Sequence, residues 1–435
     1  MAASVSKTKK TEQSKKNSIF KVMINDIKDW AVRSRKLGTV DLPFFFIVMI
    51  LLVMGIIMMF SASYALAISE GNPGTFYAIK QLKFAAVGLI AMWLLSKVDY
   101  HFFQNRFISF FLFIVCLIMM VAILIKPLHI GVTLNGATRW IGIGGFQFQP
   151  SEVMKFSIVI LFAMLIAQNY KRMKLLRIGV VPYMLILGIV AALMMMQPHL
   201  SGTILICLIG LVMIFVGGAK MSHLLGVACL GALALVAVVI YKIEFEGISY
   251  FTTRIDAWLD PKSDIKGGGW QTWQSLVAIG SGGFFGMGLG NSRQKFRYLP
   301  EAENDFVFAI LCEELGFAGA VTVIALFALF VFRGFYIASK APDKFGMLIC
   351  VGFTVQVGLQ AFLNIAVVSN FIPNTGISLP FFSYGGTSLM MLLAQMGIVL
   401  NVSRNATADD ISMTEKKKNK TTRKRVSKNN KLQER

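Results

Sequence analysis

Apolar runs of about 20 residues recur along this chain of 435 residues, and that pattern excludes most soluble folds. A run of that length spans the hydrocarbon core of a bilayer when it coils as a helix, the one form in which an isolated segment bonds all its own backbone polar groups. The runs fall near 43–67, 79–97, 106–125, 152–169, 178–197, 200–217, 222–241, 305–332, 345–368 and 382–402. The expected fold is therefore all-α, a polytopic membrane protein of about ten transmembrane helices. Residues 1–42 and 403–435 read as basic cytoplasmic tails, 43–402 as the membrane domain, and 242–304 as a large extracytoplasmic loop between helices 7 and 8. With 56% hydrophobic and 15% charged residues, no soluble domain of ordinary size is left over.

The formal charge of +21 raises nucleic acid as a partner, but most of the excess sits in the two tails. Lys7, Lys9, Lys10, Lys15 and Lys16 open one of them, and Lys416, Lys417, Lys418, Lys420, Arg423, Lys424 and Arg425 mark the other. No recognition helix or aromatic interleaving accompanies them, so anionic membrane lipid is the expected partner and nucleic acid is not. Placing both termini in the cytoplasm also puts Lys171, Arg172, Lys174, Arg177, Lys220, Arg333, Lys340 and Lys344 on that side, as the positive-inside rule requires. Cys116, Cys207, Cys229, Cys312 and Cys350 all lie in apolar runs without metal-ligand spacing and read as small buried hydrophobes.

In this orientation the outer segments 126–151, 198–201, 242–304 and 369–381 concentrate Gly, Pro, aromatic and mixed-charge residues, so function is sought there. Asp305, at the outer mouth of the eighth run, is placed to act as a general base on an interfacial substrate; capping the helix is its alternative role. Gln149-Pro150-Ser151-Glu152 starts the fourth run, and Lys155 follows one turn later inside it. An ammonium there needs a partner or an anion, so a Glu152–Lys155 pair and a substrate contact both stand. Glu313 and Glu314 lie roughly 12–13 Å deeper than Asp305 along the same helix, where a salt bridge for at least one and a proton or substrate pathway are the two readings. Arg139, Arg293, Lys295 and Arg297 suit either a phosphate-bearing substrate or lipid headgroups. His199 lacks a second ligand at metal spacing and reads as structural.

Taken in order, the strings NGATRWIGIGGFQFQPSEVMK, QPHLSGT, GWQTWQSLVAIGSGGFFGMGLGNSRQKFRYLPEAENDFVFAILCEELGF and NTGISLPFFSYGGTSL resemble the signatures of the SEDS family (shape, elongation, division and sporulation). The resemblance covers nearly everything between about residues 43 and 404, and within the family it is closer to the division and sporulation branch than to the elongation branch. It implies a peptidoglycan glycosyltransferase in the plasma membrane of a bacterium. Such an enzyme polymerises lipid II at the outer face, beside a class B penicillin-binding protein and, in division, other divisome membrane proteins. Carried over by position, the essential acid of the P-E-x-x-D-F motif is Asp305. The resemblance likewise assigns Arg139, Glu152, Lys155, Lys295 and Ser383 to substrate binding. His199 departs from the Asp of many members, and Glu303-Asn304 from their His-Thr. A divalent cation, Mg or Mn, suits the substrate's pyrophosphate, yet its protein ligands are unknown from the sequence. A lipid II transporter and a non-catalytic scaffold for the penicillin-binding protein are the alternative functions.

Overall fold

The computed structural model describes residues 38–125, 131–134, 137–143, 146–227, 229, 231, 233, 250–262 and 267–406. Its helices, in chain order, are α1 (Leu42–Ser69), α2 (Phe76–Leu95), α3 (Arg106–Leu124), α4 (Pro150–Asn169), α5 (Val181–Met196), α6 (Leu200–Val216), α7 (Tyr250–Leu259), α8 (Trp270–Ser281), α9 (Val307–Lys340), α10 (Lys344–Val368) and α11 (Gly386–Ala406). Among the described residues eight segments are long and apolar enough to cross a bilayer: α1, α2, α3, α4 with the turn that follows it (Pro150–Arg172), α5 with the short helical turn before it (Leu176–Met196), α9, α10 and α11; α6 is a shorter apolar helix. The chain is thus a multi-pass α-helical membrane protein. The run expected at 222–241 enters a helix at 221 but lies mostly outside the described residues, as do most of both basic tails.

Local sequence sets where the helices begin. Asp41 caps α1 by accepting the Phe44 amide at 2.9 Å, with Pro43 in the first turn. Pro150 opens α4, where its missing N–H costs nothing, and Glu152 sits in the first turn near the positive end of the helix dipole. Three helices form the inside of the bundle: α4, α10 and α11 are buried along most of their length, whereas no more than about a third of α2, α3 and α5 is buried. The exposed faces carry Phe46, Ile50 and Ile57 on α1 and Phe107, Phe111 and Ile118 on α3, as lipid contact requires. The inner helices carry Lys155, Gln356, Gln360, Asn364 and Gln395, all buried. Polar groups are thereby turned away from lipid and toward one another.

Two features depart from a plain set of spans. Strands β1 (Gly131–Leu134), β2 (Ala137–Ile143) and β3 (Phe146–Phe148) form an antiparallel sheet in the order β1-β2-β3, with Ile141 opposite Gly131 on one side and Phe148 on the other. The all-α expectation omits this sheet, because strands of three to seven residues broken by glycines carry little periodic signal. Helix α9 is also broken, since Gly316 has φ 66° and ψ −167°. The glycine-rich segment after α8 splices the break. Met287 and Gly288 donate to the carbonyls of Glu313 and Glu314 at 2.9 and 3.0 Å, and Phe317 and Ala318 donate to those of Gly283 and Phe284 at 2.9 and 3.0 Å. A Cβ at Gly286 would lie 2.1 Å from the Glu314 carbonyl oxygen, so the segment passes this point only because residue 286 has no side chain.

Candidate active site

The sheet, the start of α4, the turn before α6, helix α7 and the segments 301–305 and 374–392 enclose a cavity of ≈ 790 Å³. Arg139, Glu152, Lys155, Asp305 and Ser383 all line it, although 244 residues separate Arg139 from Ser383 in sequence (383 − 139). Lys295 does not join them.

Asp305 is not a helix cap. The residue preceding α9 is Phe306, with no side-chain capping bond, and Asn304 spends its amide on Glu301 Oε2 at 2.6 Å. The carbonyls of residues 303, 304 and 305 are instead each held from elsewhere. Tyr384 N donates to Glu303 O at 2.8 Å, Ser383 Oγ to Asn304 O at 2.5 Å, and Asn364 Nδ2 to Asp305 O at 2.7 Å. Satisfying these carbonyls from outside lets the segment stay non-helical and turns the Asp305 side chain into the cavity. Among the described residues no donor is hydrogen-bonded to its carboxylate. Gly376, at φ 71°, lies so close that a Cβ there would be 3.1 Å from Asp305 Oδ2. Burial pushes the Asp305 carboxyl up to about 6, and the charge of Glu301 adds to this, while Arg139 and Arg254 pull the other way. The group is thus ionised near neutral pH yet more basic than an exposed aspartate, which suits a proton acceptor.

The cationic side of the cavity is built by α4. Lys155 Nζ pairs with Glu152 Oε1 at 2.8 Å, one turn earlier, and donates to Gln360 Oε1 at 3.2 Å. Glu152 also accepts from Ser388 Oγ at 2.9 Å. Arg139 donates from β2 to the carbonyls of Gln197 and Pro198, tying the sheet to the turn before α6. His199 in that turn is buried and lines the cavity; burial, with Arg139 and Lys155 nearby, drives its imidazole down to about 3 and keeps it neutral. Ser383 Oγ accepts the Leu379 amide at 2.7 Å as well as donating to Asn304, so it braces two wall segments against each other.

Lys295 sits in a different, sealed cluster. Its Nζ lies 3.1 Å from Glu314 Oε1, 3.1 Å from Ser61 Oγ, and bonds the Gly290 carbonyl. Glu313 accepts from Ser292 Oγ, Arg293 N and Gln294 N. The salt bridge expected for at least one of these glutamates is therefore present, and Lys295, which the resemblance assigns to substrate binding, does not line the cavity: its ammonium is spent on α9 and α1. Arg293 and Arg297 are exposed and do not line the cavity.

Four lining residues escaped the sequence reading. Arg254 reaches in from α7 and bonds the Asn374 carbonyl, and Gln271 bridges Asn374 Nδ2 at 2.8 Å and the Pro300 carbonyl at 3.2 Å. Gln360 and Lys80 complete the set. Gln360 belongs to a stripe of amides at four-residue spacing, Gln356, Gln360 and Asn364, in an otherwise apolar run, and that stripe is a signal legible in the sequence. Nothing comparable marks Arg254.

Residues 42–408 match the family model for cell cycle proteins of the FtsW/RodA/SpoVE group. Stage V sporulation protein E of Bacillus subtilis is 41% identical over 367 residues, covering 84% of this chain and 97% of its own length. A probable peptidoglycan glycosyltransferase FtsW of a Geobacter species is 37% identical over 369 residues, covering 85% and 98%. Among solved structures, a chain from work on a peptidoglycan synthase complex coordinating polymerization and crosslinking superimposes with a TM-score of 0.68 at 26% identity, covering 84% of this chain and 98% of that one. The rod shape determining protein RodA of Thermus thermophilus superimposes at 0.61, also at 26% identity, covering 84% and 97%. The chain belongs to the FtsW/RodA/SpoVE family of cell cycle proteins.

Proposed function

We propose that this protein is a peptidoglycan glycosyltransferase that polymerises lipid II at the outer face of a bacterial plasma membrane, with both termini in the cytoplasm. The reading is carried by one observation: Asp305, raised to about 6, faces a polar cavity whose other walls carry Lys155 and Arg139. The C4 hydroxyl of an acceptor sugar attacks the anomeric carbon of the donor, and its proton passes to Asp305 as the new C–O bond forms. The bond from the anomeric carbon to the phosphate oxygen breaks with its electron pair, and undecaprenyl pyrophosphate departs. Lys155 and Arg139 are the cations held fixed in the cavity wall to meet that growing negative charge. Inversion at the sugar needs one base and a good leaving group, not the paired acids of hydrolases. Glu152 orients Lys155, and Ser383 holds the segment bearing Asp305.

A divalent cation fits the substrate's phosphates; among the described residues no three His, Cys, Asp or Glu side chains converge to hold one. No step is assigned to the metal. The partners that suit this reading are a class B penicillin-binding protein, other divisome membrane proteins and anionic membrane lipid. The resemblance to the division and sporulation branch favours septum or spore-cortex synthesis.

The test uses labelled lipid II confined to the outer leaflet of proteoliposomes containing the full chain and its penicillin-binding partner. Lengthening glycan is the expected product. A change of lipid sidedness without polymer would instead identify a transporter, and polymer that forms equally well without this chain would leave it a scaffold.

A further inference from the structure

Of the three buried amides on one face of helix α10, Gln360 and Asn364 are the two nearest the cavity, one turn and about 6 Å apart along the axis. In a membrane-spanning helix such groups destabilise the fold unless their bonds are made. Their bonds follow a common pattern. Asn364 Nδ2 donates to the Ile377 carbonyl at 2.6 Å and Gln360 Nε2 to the Ser378 carbonyl at 3.0 Å, so the two side chains grip consecutive residues of one wall segment. Each then reaches one pole of the cavity. Asn364 donates to the backbone carbonyl of Asp305 at 2.7 Å, and Gln360 Oε1 accepts from Lys155 Nζ at 3.2 Å. Asn364 Oδ1 is buried without a hydrogen-bond partner among the described residues. An unsatisfied acceptor costs stability, so the reason for an amide at this position lies in its donor.

We infer that Gln360 and Asn364 are positioning residues which together fix the separation between the base Asp305 and the cation Lys155. That separation matters because the attacking hydroxyl and the departing pyrophosphate lie at opposite ends of one displacement. A misplacement of about 1 Å in such a geometry costs on the order of 10²-fold in rate. The two residues touch the machinery rather than the reacting atoms, and the inference rests on the glycosyltransferase reading above.

The two rungs act on different poles, so their variants separate. Polymerisation of lipid II by the full chain with its partner is measured against pH for Asn364→Leu, Gln360→Met, Gln360→Glu and Asp305→Asn. Asn364→Leu is expected to lower kcat on the order of 10²-fold with KM changed less than about twofold, and to move the acid inflection, because Asp305 shifts relative to Arg139 and Arg254. Gln360→Met is expected to lower kcat about tenfold and leave the inflection in place, since Lys155 meets the departing charge in the transition state while Asp305 stays where it is. Gln360→Glu keeps an oxygen for Lys155 and recovers most of that kcat. If Asn364→Leu fails to accumulate, Asn364→Ser carries the test, with the same inflection shift and a smaller loss. Identical kinetic profiles for the two rungs, an unmoved inflection in the Asn364 variants, or losses that track melting temperature alone overturn the inference. Wild-type polymerisation by Asp305→Asn removes the glycosyltransferase reading itself, a different outcome.

Discussion

Among the described residues two lysine–glutamate pairs lie within this membrane domain, and only one of them faces a cavity. Glu152–Lys155 closes at 2.8 Å on α4, and Lys295–Glu314 closes at 3.1 Å between the loop before α9 and α9 itself. Their side chains differ where it counts: Glu152 keeps 12% of its side-chain surface open, Glu314 none. The first pair opens on the cavity and shares its partners with Gln360 and Ser388, groups that also build the cavity wall. The second is closed over by Ser61, Ser292 and the glycine-rich splice of α9. The lesson is that a charge in a membrane helix points to function when it borders a cavity, and to architecture when it is paired away from one.

The contrast breaks most visibly on removal of the two lysines. Lys295→Met leaves Glu314 buried and unpaired, with an expected loss of about 3–5 kcal/mol of stability, read as a lowered melting temperature and poor accumulation in membranes. Lys155→Met leaves Glu152 with Ser388 and access to the cavity, so the folded protein persists while polymerisation falls on the order of 10²-fold. If Lys155→Met proves the less stable of the two, the distinction between an open and a sealed pair fails. A smaller effect is expected for Ser383→Ala, which loses the brace on Asn304 and Leu379: about tenfold in rate, with unfolding shifted by roughly 1 kcal/mol.

The smallest effect is also a specific one. Polymerisation should rise with pH through an inflection near 6, because Asp305 accepts a proton only when ionised and burial holds it at about 6. Arg254→Gln removes a positive charge that favours the ionised form and should move that inflection upward by about half a unit, whereas the corresponding loss of charge at Lys295 should not move it. A pH profile insensitive to Arg254 would separate that residue from the site.

Much of the architecture was legible because bilayer thickness is so strict a ruler. The runs at 43–67, 152–169 and 345–368 coincide with α1, α4 and α10, and Pro150 starts its helix where its fixed φ predicts. The sheet was not legible, since its strands are too short to show a period, and neither was the break at Gly316, because an apolar run looks the same whether or not its helix is interrupted. Within the site, Asp305, Arg139, Glu152, Lys155 and Ser383 were marked in the sequence and share one cavity. Lys295 was marked in the same way and lies elsewhere. What separates Lys155 from Lys295 is the neighbour across the bundle, Gln360 in one case and Ser61 in the other, and that depends on tertiary packing rather than local pattern.

The proposed role of Asp305 is tested most directly by purified Asp305→Asn, measured side by side with the wild-type chain for glycan formation from lipid II and for thermal unfolding. Holding a carboxyl at about 6 against an ordinary value of 3.8 means that its charge opposes folding at every pH above about 6 and ceases to do so below about 3.8. Replacing it with a neutral amide at pH 7 should therefore leave the melting temperature unchanged or raised while polymerisation drops on the order of 10²–10⁴-fold, the usual contribution of a general base. A variant that forms glycan at the wild-type rate, or one that loses activity only because it unfolds, would contradict the account.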